Sequence, residues 1–339
     1  MAAESWPSDV ADALRDAFGW DGEVTVAPGP RGATSRIWRV GVGEARYALK
    51  EGRGEPPTAV AIDAEVAFVE AARVAGVRAP ALHADRWGRR VLPGAGTSWL
   101  RLYDWVDVRP VDLGSPATPG ALGGLLARLH RGAPQMSTEA DGTAADPWYE
   151  RPPRTAELLA AGAPEAAWSG RLFGRVAELP RLLELVRPVD PDRLLRCHRD
   201  LHPGNVLADA SGGLVVIDQD DLGPADPARE LAKVLFDWWS DPAPELDAMR
   251  ATYQAYLDAG GPARVRATAD FTMLVAARLN FLLRQLRLVA DPATKPDDRA
   301  WAEQEIDESL RILPTVAHIG SVLRTLSSSA DPRPARSDR

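Results

Sequence analysis

The sequence contains one cysteine, Cys197, and five histidines in 339 residues. An internal disulfide is therefore excluded, and little remains from which to build a zinc site. A single free thiol fits a reducing compartment. No uninterrupted apolar run approaches the roughly 20 residues that cross a bilayer. The opening segment MAAESWPSDVADALRDAFGW has neither a basic start nor an apolar stretch, which speaks against a secretory signal; the expected location is the cytoplasm. No repeat of roughly 20–50 residues is present, so a solenoid or propeller is not expected. Lysine is scarce as well: Lys50, Lys233 and Lys295 stand alone, and arginine carries the rest of the positive charge. The net charge of -8 disfavours a nucleic-acid partner, which wants a basic face, and is compatible with a cationic small molecule.

What is present is a composition that is 45% hydrophobic, enough for a substantial core, over a length suited to two compact units. SDVADALRDAFG, behind an N-cap-like Ser8, reads as an extra helix within residues 1–20. EVTVAPGP and IWRVGVGEARYALKE read as β-rich runs on either side of RGATSR. TAVAIDAEVAFVEAARVAG has helical periodicity and closes on Gly76. ALHADRWGRRVLP and SWLRLYDWV read as two further strands. Beyond Val108 helical periodicity dominates, broken by the short apolar runs in RLLRCHRDLHPGNVL and GLVVIDQDD. This pattern predicts an α+β chain in two lobes: residues 1–104 as a small antiparallel-sheet lobe with one key helix, and 105–326 as a larger, mainly helical lobe. Residues 327–339 read as a disordered tail.

The segment CHRDLHPGNVLADASGGLVVIDQDD concentrates the chemistry. Asn205 follows Asp200 by five positions, across a loop that Pro203 and Gly204 keep from being helical. Asp218 ends the apolar run LVVI thirteen positions later, and a turn between two short strands would return it towards the first loop. Asp and Asn oxygens suit a hard cation such as Mg²⁺. A carboxylate near the nucleophile, with Mg²⁺ bridging the phosphates, is what phosphoryl transfer to a hydroxyl requires. The rival readings are weaker. His198 and His202 are four apart, as on a zinc-binding helix, but Pro203-Gly204 breaks any helix there and no third ligand stands nearby. His198 then reads as structural, and His202 as a backbone anchor or cleft residue. Cys197 beside His198 points to the opposite face of a strand and reads as buried.

The local pattern His198-Arg199-Asp200-Leu201-x-x-x-Asn205 resembles the catalytic-loop signature of the protein-kinase superfamily. From about Val24 to Leu326 the chain resembles the aminoglycoside phosphotransferase and choline kinase-like family, most specifically at HRDLHPGNVL and VIDQDDLGPADPARELA. The resemblance implies a bilobal protein-kinase-like fold and an ATP-dependent (or GTP-dependent) kinase of a small molecule, with two Mg²⁺ ions. It implies that Asp200 is the catalytic base and that Asn205 and Asp218 are metal ligands. Lys50, in Tyr47-Ala48-Leu49-Lys50, falls where the family's strand lysine holds the phosphates, and Glu65 falls where its helix partner stands, with Glu70 and Asp63 as alternatives. Gly32 and Ser35, in a degenerate Gly-rich stretch, are candidate phosphate contacts; Tyr103, Asp104 and Trp105 are candidates to meet the purine.

Three departures from the family stand out. Arg199 occupies a position usually held by glycine, and Gln219 replaces an aromatic residue. Asp220 and Asp221 add carboxylates that are candidates, with His202, to contact the acceptor or support the metals. Asp218 is followed within a few residues by LGPADPARELA, which leaves no room for an activation segment and so favours small acceptors over protein. The expected acceptor is a small alcohol, with a cationic one compatible, such as an aminoglycoside or other antibiotic; a choline-like amine, a sugar amine and an amino-acid alcohol remain open. The acidic stretch AEQEIDESL and the eleven tryptophans are candidate acceptor-site material, each also readable as solvated face or core. A nucleotide-binding regulator without catalysis is the alternative from another class.

Overall fold

The computed structural model describes residues 8–31, 35–136, 146–163 and 165–328. Gly32 and the end of the expected tail, 329–339, lie outside them. The chain runs α1 (Ser8–Phe18), β1 (Val24–Arg31), β2 (Ser35–Val42), β3 (Ala45–Arg53), α2 (Ala59–Val74), β4 (Leu92–Pro93) and β5 (Ser98–Asp104). There follow α3 (Thr118–Gly132), α4 (Pro147–Glu150), α5 (Thr155–Ala161), α6 (Ser169–Leu183), β6 (Leu195–Cys197), β7 (Val206–Ala208), β8 (Leu214–Val216) and β9 (Gly223–Ala225). The described chain closes with α7 (Pro227–Trp239), α8 (Leu246–Asp258), α9 (Thr272–Ala290), α10 (Pro296–Ile312) and α11 (Val316–Ser327). No described helix is long and apolar enough to cross a membrane.

Two compact units result: Met1–Pro110 with Val206–Leu222, and Val111–Asn205 with Gly223–Arg339. The change of character read near Asp104–Val108 is close to the first crossing of the chain between them, and a short excursion, Val206–Leu222, groups with the N-terminal unit.

In the first unit five antiparallel strands lie in the order β1-β2-β3-β5-β4. Alternation gives each strand two faces. Trp38, Val40, Leu49, Leu100 and Leu102 point to one face and are buried with Leu14 and Ala17 of α1. The other face carries Ala48, Lys50 and Gly52 opposite Tyr103, Arg101 and Trp99, in that register. Over it lies α2, whose Ile62 packs with Tyr103 and Leu82. Thr58 starts α2 by accepting from the Ala61 N–H at 3.2 Å, and Gly76, at φ 74°, turns the chain just past its end. The β7–β8 hairpin joins this unit through bridges from Ala208 to Arg109 and from Val215 to Arg78.

One expected strand is largely absent. ALHADRWGRRVLP contributes only Leu92–Pro93 and a bridge from Leu82 to Tyr103. The buried Asp85 carboxylate accepts the Trp87 and Arg89 N–H groups at 3.0 and 2.8 Å and folds the segment into a turn through Gly88, at φ 82°.

The second unit is helical. Helices α3 and α8 approach closely because Gly123 has no side chain: a Cβ there would lie 2.3 Å from the Thr252 carbonyl oxygen. Leu122, Leu125 and Leu126 of α3 and Tyr253 and Tyr256 of α8 are fully buried; each leucine contributes about 1.5–3 kcal/mol on burial. Phe236 of α7 and Phe271 meet edge to face at 5.7 Å. The short β6–β9 pair sets Cys197 opposite Gly223 and delivers the chain to His198.

Candidate active site

The loop after β6 is held from behind. Arg199 adopts φ 68°, a left-handed conformation costly for any residue with a Cβ, which gives a physical reason for glycine at this position in the family. Its N–H donates to the Glu230 carboxylate on α7. Glu230 also accepts from His130 Nε2 at 2.6 Å, and His130 Nδ1 accepts from the Tyr256 hydroxyl at 2.9 Å. Burial would raise the pKa of Glu230, but His130 and the Arg199 N–H hold it below its ordinary value. His130, Glu230 and the Cys197 thiol lie within 4.8 Å of one another, all buried. The histidine and the carboxylate are spent on each other and on the loop. The Trp238 indole N–H donates to the Leu201 carbonyl at 2.7 Å and fixes the next residue.

At the front of this loop stands Asp200. Its Oδ1 accepts from Lys233 Nζ at 3.2 Å, and its Oδ2 from the Asn205 amide at 3.1 Å. His202 Nε2 lies 3.4 Å from Oδ2, while His202 Nδ1 accepts the Gly204 N–H at 3.0 Å. Lys233 also reaches Asp237 at 2.8 Å, one helical turn along α7, and Asp237 accepts from Arg278 of α9 at 3.1 Å. Burial alone would push the Asp200 carboxyl up; Lys233 and His202 instead hold it well below the usual range. Burial would likewise lower Lys233, but Asp237 and Asp200 raise it above an ordinary lysine. The result is a carboxylate ionised throughout the neutral range and fixed in direction. Because the Asn205 side chain donates through its nitrogen, its oxygen is the end left for a cation.

In the first unit a second charged cluster surrounds Lys50. Its Nζ lies 2.6 Å from Asp218 Oδ1 and 2.6 Å from Asp220 Oδ2. Burial would lower the Lys50 pKa, but the two carboxylates raise it. The lysine is not on Glu65, as the sequence suggested. Glu65, on α2, accepts from Arg101 at 2.7 Å and from the Tyr103 hydroxyl at 2.8 Å. Burial raises its pKa, only partly offset by Arg101 and Tyr103. Arg101 also donates to Asp220. Asp218 has a left-handed backbone, φ 60° and ψ 74°, and leads into a single tight turn, Gln219–Asp221. Backbone strain of this kind clusters at functional sites. Asp220 is thus committed to two cations inside this unit and Asp221 sits in the turn.

The remaining sequence candidates have other partners. Asp104 accepts the Ala81 N–H at 2.9 Å and pairs with His83 at 2.7 Å. The Trp105 indole donates to Asp107 at 2.9 Å, and Ser35 lies in register with Gly52. A cavity of about 560 Å³ in the second unit, lined among others by Arg193, Arg264 and Arg266, contains none of these groups. Sequence reading missed Arg101, Lys233, Asp237 and Arg278. Two signals pointed to Lys233: the rarity of lysine and the four-residue spacing to Asp237 on one helix.

A family model described as the phosphotransferase enzyme family matches residues 25–268, well over half the chain. Together with the loop geometry and the strand lysine, the match defines the class: the chain belongs to the phosphotransferase enzyme family, with its protein-kinase-like fold. It is accordingly an enzyme, a small-molecule kinase. Solved structures agree on the fold. An aminoglycoside phosphotransferase from Alicyclobacillus acidocaldarius is 17% identical with a TM-score of 0.61, over 96% of this chain and 99% of the other. A microcompartment-associated aminopropanol kinase is 19% identical with a TM-score of 0.61, over 95% and 98%. An amicoumacin kinase in complex with AMP-PNP and Ca²⁺ is 19% identical with a TM-score of 0.57, over 92% and 97%. No curated protein gave a significant match.

Proposed function

We propose that this phosphotransferase moves the γ-phosphoryl group of ATP to a hydroxyl of a small, cationic acceptor, with Asp200 as the base. The observation that carries the reading is the Asp200 carboxylate, kept ionised and aimed by Lys233 and Asn205. The acceptor oxygen forms the new O–P bond while the bond from the γ-phosphorus to the bridging oxygen breaks. The electron pair leaves on ADP, and the acceptor proton passes to Asp200. A weakly basic carboxylate suits a transition state in which the proton moves late.

Asn205 and Asp218 offer hard oxygen donors of the kind Mg²⁺ takes, and bound Mg²⁺ would offset the phosphate charge. Lys50 is the candidate to hold the phosphates, Gly32 and Ser35 are further candidates for the same role, and Tyr103, Asp104 and Trp105 are candidates to meet the base. GTP is the alternative donor.

The acceptor's positive charge is supported by the acidic face of α10. Glu305 is pushed above its ordinary pKa by burial and by neighbouring Glu308, and His202 counters this through its own charge. That dependence puts α10 carboxylates within electrostatic reach of the loop histidine. An amino alcohol or an amine-bearing antibiotic answers this chemistry, and the names of the aminopropanol and amicoumacin kinases lie in the same range. The short path from Asp218 through β9 into α7 leaves no platform for a protein substrate. A panel of amino alcohols, choline-like amines and aminoglycosides, read by ADP release and by the mass of the product, tests the reading. An added phosphate on one cationic acceptor is the expected result; phosphate found only on uncharged acceptors or on polypeptide would overturn it.

A further inference from the structure

Lys50 is not tied to α2 directly, yet an unbroken chain of charged hydrogen bonds joins them. Lys50 donates to Asp220, Arg101 donates to the same Asp220, and Arg101 donates through its other terminal nitrogen to Glu65 of α2. Tyr103 closes the far end on Glu65.

We propose that Arg101 and Asp220 are positioning residues for the nucleotide, holding Lys50 in place through the relay Lys50–Asp220–Arg101–Glu65. The inference rests on the reading of Lys50 as the residue that meets the phosphates.

Lys50 and a bound cation would compete for Asp218. That carboxylate is the one proposed to turn to a cation, and its side chain is 40% exposed. A lysine held by Asp218 alone would have to share its anchor with the metal. Asp220 supplies a second anchor, and Arg101 fixes Asp220 whatever Asp218 does.

The strand is also built to hold a guanidinium here. Arg101 is 2% exposed, so it positions other groups and does not itself reach ligand. Two residues to either side on the same strand face, Trp99 and Tyr103 place their rings 4.9 and 5.5 Å from its central carbon. Trp99 lies across Gly52 on the facing strand, where a Cβ would fall 2.1 Å from the ring. The indole can lie there only because that position is glycine. A planar fork bridges two carboxylates where a lysine offers one point of charge, which accounts for arginine at this position.

The test measures the Kd of Mg·AMP-PNP by calorimetry, which needs no acceptor. Arg101→Met and Asp220→Asn should each weaken binding about tenfold. The double variant should be no weaker than the worse single, because both changes cut one relay, whereas independent effects would multiply to about a hundredfold. Binding by folded Arg101→Met equal to wild type, or a multiplicative double variant, would overturn the relay. Asp220→Asn, at a carboxylate one third exposed, keeps the test open if Arg101→Met fails to fold; wild-type affinity in Asp220→Asn overturns it equally. Failure of wild type to bind Mg·AMP-PNP would instead sink the reading of Lys50 on which the relay rests.

Discussion

Two of the three lysines sit in settings that repeat one plan in the two units. Lys50 lies between Asp218 and Asp220, and an arginine, Arg101, closes on Asp220. Lys233 lies between Asp200 and Asp237, and an arginine, Arg278, closes on Asp237. In each cluster one carboxylate is the one proposed for the chemistry, and the other, braced by arginine, anchors the lysine. The difference is depth. Asp237 is 11% exposed whereas Asp220 is 33% exposed. The cluster of the helical unit is sealed at the back, and that of the sheet unit stays partly open. Equal charge patterns therefore differ in exposure: the deeper cluster fixes one carboxylate, and under the proposed function the more open one lets its lysine exchange a protein partner for phosphate.

Variants at matched positions break the comparison. The largest effect belongs to Asp200→Ala, expected to lower turnover about 10²–10⁴-fold, as for loss of a general base. Mg·AMP-PNP binding, measured by calorimetry, should survive; near-normal turnover would remove Asp200 from the mechanism. Next come the lysines. Lys233→Met takes its lysine from the near-buried Asp237 and should cost about 3–5 kcal/mol in urea unfolding. Lys50→Met should cost less than half of that, because its carboxylates reach water, while nucleotide affinity falls sharply. Equal stability losses would erase the distinction between sealed and open. The smallest effect is on pH. Asp200 and Glu230, both held below their ordinary values, contribute stability that is complete above about pH 5 and lost as acid drops through their folded pKa values. Lys233, raised, contributes throughout the neutral range and loses its share only above its ordinary alkaline value. Glu65 works the other way: its raised pKa makes folding take up a proton, so acid does not weaken it. Between pH 5 and 3 the stability of Asp200→Asn should therefore fall less steeply than that of wild type.

The sequence made the elements and the acidic positions legible to different degrees. Period-two and period-3.6 patterns marked the sheet strands and the helices, because each has one face in a core. ALHADRWGRRVLP misled because its apolar residues alternate acceptably, while one carboxylate, Asp85, captures the backbone locally. Asp200, Asn205 and Asp218 announced themselves through spacing around Pro203-Gly204 and LVVI. Their supporting cations did not. Arg101 faces Lys50 by strand register, and its carboxylates are 36 and 119 residues distant. Arg278 is 41 residues from Asp237. Distances of that kind are set by tertiary packing, and no local pattern encodes them.

The burial of Lys50 and Lys233 has a practical consequence. Lys295 is exposed, whereas the other two lysines are 5% and 6% exposed. An amine-acylating reagent should therefore mark the native protein's lysine side chains at one place, the start of α10. Slower tagging of Lys50 or Lys233 then becomes a clock for the opening of each cluster. Peptide masses would time the two lobes separately, and nucleotide should stop the first clock without touching the second.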